Sequence, residues 1–256
     1  MKTIAVVSHK GGSGKTTVAV NLALACRAAG ARTILADTDP VRSATDSLRQ
    51  RADHDGMLVE TSAAKLAALT FASERDGCDV LIIDTAGGPE NGMIDALKVA
   101  DLCIAVSRPT YLDVAATLHT VDTVRRLGRD GVVLFNQCPP LRNGVASSMV
   151  SALMDSLQAG GLEVCPTALQ SRVVYQHAIA LGQGVAEHDP GGLAEAEIDG
   201  VIDYVLTRTK TPLRETRPMR RRTVPETTGG AVAQRSTCGR PASGLSSPEL
   251  ALTPAC

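Results

Sequence analysis

Thr3-Ile4-Ala5-Val6-Val7-Ser8-His9-Lys10-Gly11-Gly12-Ser13-Gly14-Lys15-Thr16-Thr17 is the stretch on which the reading of this chain turns. Its first five residues form an apolar, β-branched run that predicts a strand. Beyond Thr17, Val18, Leu22 and Cys26 recur at helical spacing, with Ala19 and Ala23 beside them. A strand, a Gly-rich turn and a helix N-terminus in that order make a cradle for phosphate. Backbone N–H groups freed by the glycines converge on an anion, and the helix dipole adds partial positive charge. In such a loop Lys15 reaches the β- and γ-phosphates and the Thr16 hydroxyl sits on Mg²⁺. One position departs from the general spacing G-x-x-x-x-G-K-[ST]. Its first glycine would fall at His9, and a second lysine, Lys10, precedes Gly11-Gly12.

The chain has 256 residues, enough for one large α/β domain or two small ones, and 44% of them are hydrophobic, enough for a core. That core must be aliphatic: there is no Trp, and there are two Phe and three Tyr. No apolar run reaches the roughly 18–20 residues of a membrane span. The first strand begins at once, without a signal-peptide pattern, so a cytosolic protein is expected. Seven scattered Cys without a C-x-x-C pair read as reduced, mostly buried thiols. None of the five His has metal-ligand spacing. Charge is divided unevenly. Residues 1–206 carry 17 basic and 24 acidic side chains, whereas residues 207–256 carry 9 and 3.

Further along, Thr33–Asp37 reads as a second strand, ending in Asp37-Thr38-Asp39-Pro40. A helix from Ser43 to about Ala52, a short strand near Met57–Val59 and an Ala-rich helix over 63–75 follow. Asp79–Asp84 is a continuous apolar run closed by an acid, as in a strand buried on both faces. A short helix over 90–100 and a strand over 102–106 lead to Ser107-Arg108-Pro109-Thr110. Next come a helix with Val114, Leu118, Val121 and Val124 inward, a strand over 131–135 ending at Asn136, and a helix from about 145 to 158. Glu163–Cys165 reads as a last strand, and helices over 171–181 and 192–206 complete the pattern. Strands alternating with helices predict a parallel sheet covered on both faces, with right-handed crossovers. The loops at 8–16, 37–40, 84–89 and 107–113 all follow strands, so they share the rim where such sheets bind ligands. From about Thr207 the periodicity stops. Residues 207–256, rich in Pro, Thr, Ser, Gly and Arg, read as a disordered basic tail behind a domain spanning 1–206.

Lys10-Gly11-Gly12-Ser13-Gly14-Lys15-Thr16 matches K-G-G-x-G-K-[TS] throughout, and here the chain resembles the ParA/MinD class of deviant Walker ATPases. The resemblance implies a P-loop NTPase-like fold, ATP and Mg²⁺ as cofactors, and ATP hydrolysis. It assigns phosphate binding to Lys15 and the loop residues Gly11, Gly12, Ser13 and Gly14, with Thr16 and Thr17 opening the helix. Thr16 and Asp84, the latter matching the Walker B acid, would hold Mg²⁺. Lys10 would cross to the nucleotide of a second subunit, coupling ATP to homodimer formation much as an arginine finger supplies charge. Asp39 matches the switch acid of D-x-D-P and would position the attacking water, although Val41 stands where members often carry Gln. Asp37 admits a plainer role, ordering the loop. Asn136 admits two readings, an amide presented to adenine or a turn before Cys138-Pro139.

Within the class the chain looks most like a short-form DNA-partition ATPase of the ParA type. That implies non-specific DNA binding in the ATP state, a nucleoid-associated location and stimulation by a centromere-binding, ParB-like adaptor. Arg172 is the first DNA-contact candidate, because 167–175 matches a family segment; Arg142, Arg125, Arg126, Arg129 and the tail arginines are others. With so few aromatics, DNA binding would be electrostatic. A MinD-like membrane-cycling ATPase and a protein-cargo-positioning relative are the alternatives. The first needs an amphipathic terminal helix, and the tail shows no apolar stripe, so no stable membrane association is expected. A fourth possibility, an electron-transfer relative of nitrogenase iron protein, needs paired cysteines, whereas Cys103 reads as core packing.

Overall fold

Strand order explains how distant loops come to one rim. A computed structural model describes residues 1–51, 56–87, 90–142 and 144–211. Its strands are β1 (Lys2–Val7), β2 (Thr33–Asp37), β3 (Leu58–Glu60), β4 (Val80–Asp84), β5 (Leu102–Ser107) and β6 (Asp130–Phe135). They form one sheet in the order β3-β2-β4-β1-β5-β6, every neighbour parallel. This is the doubly covered parallel sheet expected of a P-loop NTPase-like fold.

The helices are α1 (Lys15–Ala28), α2 (Ser43–Leu48), α3 (Leu66–Arg75, entered through a 3₁₀ turn at Ala63–Lys65), α4 (Glu90–Val99) and α5 (Tyr111–Arg126). After these come α6 (Ser148–Ala159), α7 (Val173–Ala180), α8 (Val185–His188) and α9 (Leu193–Thr209). The strands look uniformly apolar in sequence because successive residues feed two cores. Ile4, Val6, Leu35, Ile82, Ile104 and Leu134 pack with α1, α2, α7, α8 and α9. Ala5, Val7, Ala36, Ile83, Ala105 and Phe135 pack with α3, α4, α5 and α6. Cys103 lies wholly buried in the second core, and burial pushes its thiol up to about 12, which leaves it an inert packing group. Among the described residues no helix is long and apolar enough to cross a membrane.

The structure corrects the sequence reading at several boundaries. Glu163–Cys165 is not a strand; Val164 makes a single parallel bridge to Val133. Val133 N–H donates to Glu163 O and Cys165 N–H donates to Val133 O, but the next bond to β6 comes from Leu169 N–H to Phe135 O, out of register for a continuous ladder. The short helix α8 carries no periodic signal in sequence, and it is opened by Gly184 N–H donating to Glu187 Oε2 at 2.9 Å. α2 ends at Leu48, short of the expected Ala52. α9 continues to Thr209, past the expected boundary at 206. Residues 212–256, most of the expected tail, lie outside the described residues.

One buried amide joins the loop-bearing helix to its surroundings. Asn21 donates to Thr17 O at 2.8 Å and accepts from Val185 N–H at 2.8 Å, bridging α1 to α8. Asn21→Ala strands the Val185 N–H and should cost about 1–3 kcal/mol, read as a lowered urea midpoint with an unchanged m-value.

Candidate functional site

The parallel register brings three chain segments to one rung. Asp84 at the end of β4 pairs with Val6 on β1 and with Asp37 on β2. Two threonines lock the exits: Thr85 Oγ1 donates to Val6 O, and Thr38 Oγ1 donates to Asp84 O, each at 2.8 Å. Loops 8–14, 38–42 and 85–87 therefore leave the sheet side by side, as expected; residues 88–89 lie outside the described residues.

The first of these is the Gly-rich loop. Gly12 and Gly14 have φ of +73° and +91°, conformations that L side chains avoid. Gly14 is the N-cap of α1, with no side-chain cap and no acid in the first turn, so the helix N-terminus is left for an outside acceptor. A Cβ at Gly14 would come within 2.1 Å of Asn136 Nδ2, and one at Gly87 within 3.0 Å of Lys15 Nζ and 3.1 Å of Gly11 Cα. Both glycines permit close approach to the loop, from β6 and from the turn after β4 respectively. Lys15 and Ser13 are buried, Thr16 and Thr17 half-buried at the helix start, and Gly11 and Gly12 exposed.

Charge converges on Lys15. Burial lowers its ammonium below the ordinary lysine value, while Asp84 and Asp39 pull it back up. Asp84 is fully buried, and neither carboxylate oxygen finds a hydrogen-bond partner of good geometry. Burial raises its carboxyl to about 7, with Asp37 and Asp39 adding to the rise and the nearby Thr16 hydroxyl and Lys15 opposing it. A buried carboxylate with two open oxygens beside a hydroxyl is a donor set suited to a hard cation such as Mg²⁺.

The two acids of the second loop divide their work. Asp37 is fully buried; its Oδ2 accepts from Thr45 N–H and Oγ1 at 3.0 and 2.8 Å, and its Oδ1 from Asp39 N–H at 3.0 Å. It orders the loop. Asp39 is half-buried and uses Oδ1 for the Val41 N–H at 2.9 Å, and its charge is felt at Lys15. Arg42, in the left-handed region at φ 59°, reaches back to the Asp37 and Thr61 carbonyls.

Lys10 is 36% exposed and lies 3.7 Å from Asp113 of its own chain. Asp113 also accepts from Arg108 at 3.1 Å and from Thr110 Oγ1. Burial pushes its carboxyl up, but those hydrogen bonds and the Arg108 and Lys10 charges outweigh burial and leave it below the usual carboxylate range. Thr110 caps α5, its Oγ1 accepting from the Asp113 N–H at 3.3 Å; the hold of Asp113 on Lys10 had no signal in the sequence. His9, where the general motif has glycine, places Nδ1 2.7 Å from Thr120 Oγ1, a second tie to α5.

Two expected contacts are redirected. Asn136 is buried and both ends of its amide are committed: Nδ2 donates to Ser13 O at 2.8 Å, and Oδ1 accepts from Gln137 N–H at 2.8 Å. It braces the loop in this structure, a role between the two readings. Arg172, the first DNA-contact candidate, turns inward. Its Nε donates to Glu197 at 2.8 Å and its NH2 to Gln170 at 2.5 Å. Glu197, only 8% exposed, also accepts from Tyr175 OH and Gln170 N–H. Satisfying that buried carboxylate takes precedence over display to solvent. Arg125, Arg126, Arg129 and Arg142 are all exposed, although Arg125 and Arg129 also donate to the main-chain carbonyls of Gly161 and Ala100.

Comparison with known proteins gives this geometry a lineage. Residues 4–216 match the model of the CobQ/CobB/MinD/ParA nucleotide-binding domain. The chain belongs to that family. Members of the ParA/MinD family are ATPases. One relative is the maintenance of carboxysome distribution protein A of Gloeobacter kilaueensis, 28% identical over 202 residues, 77% of this chain and 90% of that protein. Another is the chromosome-partitioning ATPase Soj of Thermus thermophilus, 25% identical over 244 residues, 82% of this chain and 97% of that one. Among solved structures, the septum site-determining protein MinD of Pyrococcus horikoshii, complexed with Mg-ADP, superposes with a TM-score of 0.65 at 16% identity. That match covers 80% of this chain and 95% of the other, and it supports the fold.

Two predictions follow from the buried charges. Because folding raises the Asp84 carboxyl to about 7, the folded state holds the proton more tightly than the unfolded state. The stability this confers is complete below the unfolded value near 4 and is lost as pH rises through about 7. Without nucleotide and with chelator, Asp84→Asn should therefore melt above wild type at about pH 8, and the gap should close toward pH 4; parallel curves would contradict this. Arg172→Ala leaves Glu197 buried without its cation and should cost of the order of 3 kcal/mol, read by urea denaturation.

Proposed function

We propose that this family member is an ATP-hydrolysing DNA-segregation protein that dimerises on ATP, binds DNA without sequence preference in that state, and is stimulated by a ParB-like, centromere-binding adaptor. The observation that carries the reading is the division of the rim into a buried half-site and a partly exposed lysine held apart from it. Lys15, Asp84 and Asp39 converge beside the loop, while the Lys10 ammonium is turned to Asp113 on α5. Such an outward lysine is useful where a second subunit brings its own nucleotide to it.

In this reading the Gly11–Gly14 amides and Lys15 hold the phosphates, and Thr16 and Thr17 open the helix beneath them. Asp84 and Thr16 would hold Mg²⁺, which when bound neutralises charge on the phosphates. Asp39, anchored through one oxygen to Val41 N–H, keeps the other to orient the attacking water. Lys10 leaves Asp113 and adds positive charge at the partner's transferring phosphoryl group. DNA contacts then fall to exposed cations such as Arg142 and to the basic residues of 207–256, not to Arg172. The protein would sit on the nucleoid in its ATP state.

A second reading, positioning of a protein assembly, is favoured by the relative named for carboxysome distribution. It uses the same ATP-driven dimer and differs in the adaptor. The test common to both is Lys10→Ala. With ATP and Mg²⁺ the wild type should run as a dimer by light scattering and retain DNA, whereas the variant should stay monomeric and lose DNA retention at least about tenfold, some 1.4 kcal/mol. A variant that dimerises and binds DNA like wild type overturns the proposal.

A further inference from the structure

Among the described residues, three non-glycine residues have positive φ, and one of them, Gln137 at 55°, stands directly beside the nucleotide loop. A glutamine in the left-handed region carries a strain that the surrounding structure must offset, and such strain collects at functional positions. Here it has a geometric result. Gln137 Nε2 donates to Gly12 O at 3.0 Å, while its neighbour Asn136 donates to Ser13 O at 2.8 Å. Two consecutive carboxamides thus grip two consecutive loop carbonyls.

A trans peptide is planar, so its C=O and N–H point in opposite directions. Holding Gly12 O toward Gln137 turns the Ser13 N–H away from Gln137, and holding Ser13 O toward Asn136 does the same for the Gly14 N–H. Gly12 and Gly14, both at positive φ, are the residues that could most easily let those peptide planes rotate. The Asn136 grip is buried, and Gly14 lacks the Cβ that would block it. The Gln137 grip is on the exposed side, and the backbone twist at 137 aims it.

We infer that Gln137 is a positioning residue for nucleotide binding: its left-handed backbone and its amide together fix the Gly12–Ser13 peptide with the Ser13 N–H turned toward the phosphates. The inference rests on the phosphate-cradle reading of this loop and adds a residue that lies outside the loop motif. Gln137 touches no phosphate itself. Its effect is preorganisation, which lowers the cost of ordering the donor when an anion arrives.

The test separates positioning from support of the fold, because the two should move in opposite directions. Gln137→Gly removes the grip and also the left-handed strain, so its thermal midpoint should equal or exceed that of wild type. Its affinity for ADP, titrated with Mg²⁺ by calorimetry, should nonetheless weaken about fivefold, the value of one hydrogen bond near 1 kcal/mol. Gln137→Asn tolerates the same backbone but is one methylene too short, and it should weaken ADP binding similarly. ADP affinities equal to wild type in both variants, or losses that only track a falling midpoint, would overturn the inference. A wild type that binds no ADP would instead overturn the cradle reading on which it rests.

Discussion

The parallel register of β1, β4 and β2 is the constraint from which the site descends. Placing Val6, Asp84 and Asp37 on one rung leaves three loops no choice but to emerge together. The side-chain bonds of Thr85 and Thr38 to neighbouring main chains then tie each exit to the next strand. Shifting one strand by a residue would move its acid to the other face of the sheet. The site geometry is therefore held by the most deeply buried part of the molecule, not by the loops.

That scaffold carries a local electrostatic cost. Asp84 is buried with no hydrogen bond of good geometry to either oxygen, and Lys15 is buried with its charge only partly compensated. Neither feature helps an empty protein fold. Both make sense as a partial neutralisation that a phosphate and a cation would complete. Lys10 differs because its charge already has a partner, an acid held in place by Arg108 and Thr110. Recruiting it elsewhere is an exchange between ion pairs, with Arg108 left to keep Asp113 satisfied.

Much of the fold was legible because its signals are local and redundant. Every strand that proved to be part of the sheet was a short apolar run, and the loop motif specified both its strand and its helix. Glu163–Cys165 misled because the apolar pattern was right but a single bridge forms, the next main-chain bond to β6 coming from Leu169. In the site, the motif named Lys10, Lys15, Asp39 and Asp84, and the structure brings the last three together. Arg172 and Gln137 were not legible, for a shared reason: the role of a long polar side chain is set by whichever buried partner lies within reach. Glu197 lies 25 residues from Arg172, and Gly12 lies 125 residues from Gln137; no periodicity connects them.

The segment after α6, which falls short of being a strand, has a consequence for how the molecule behaves among its copies. β6 ends the sheet, and an exposed edge of that length is a template on which another chain can add. Val164 and Gln170 bridge to Val133 and Cys138, so the edge is covered without a new ladder being opened beyond it. At the opposite edge β3 is only three residues long. Both borders are thereby blunted against strand-by-strand aggregation, and association between copies is left to the rim and the helical surfaces.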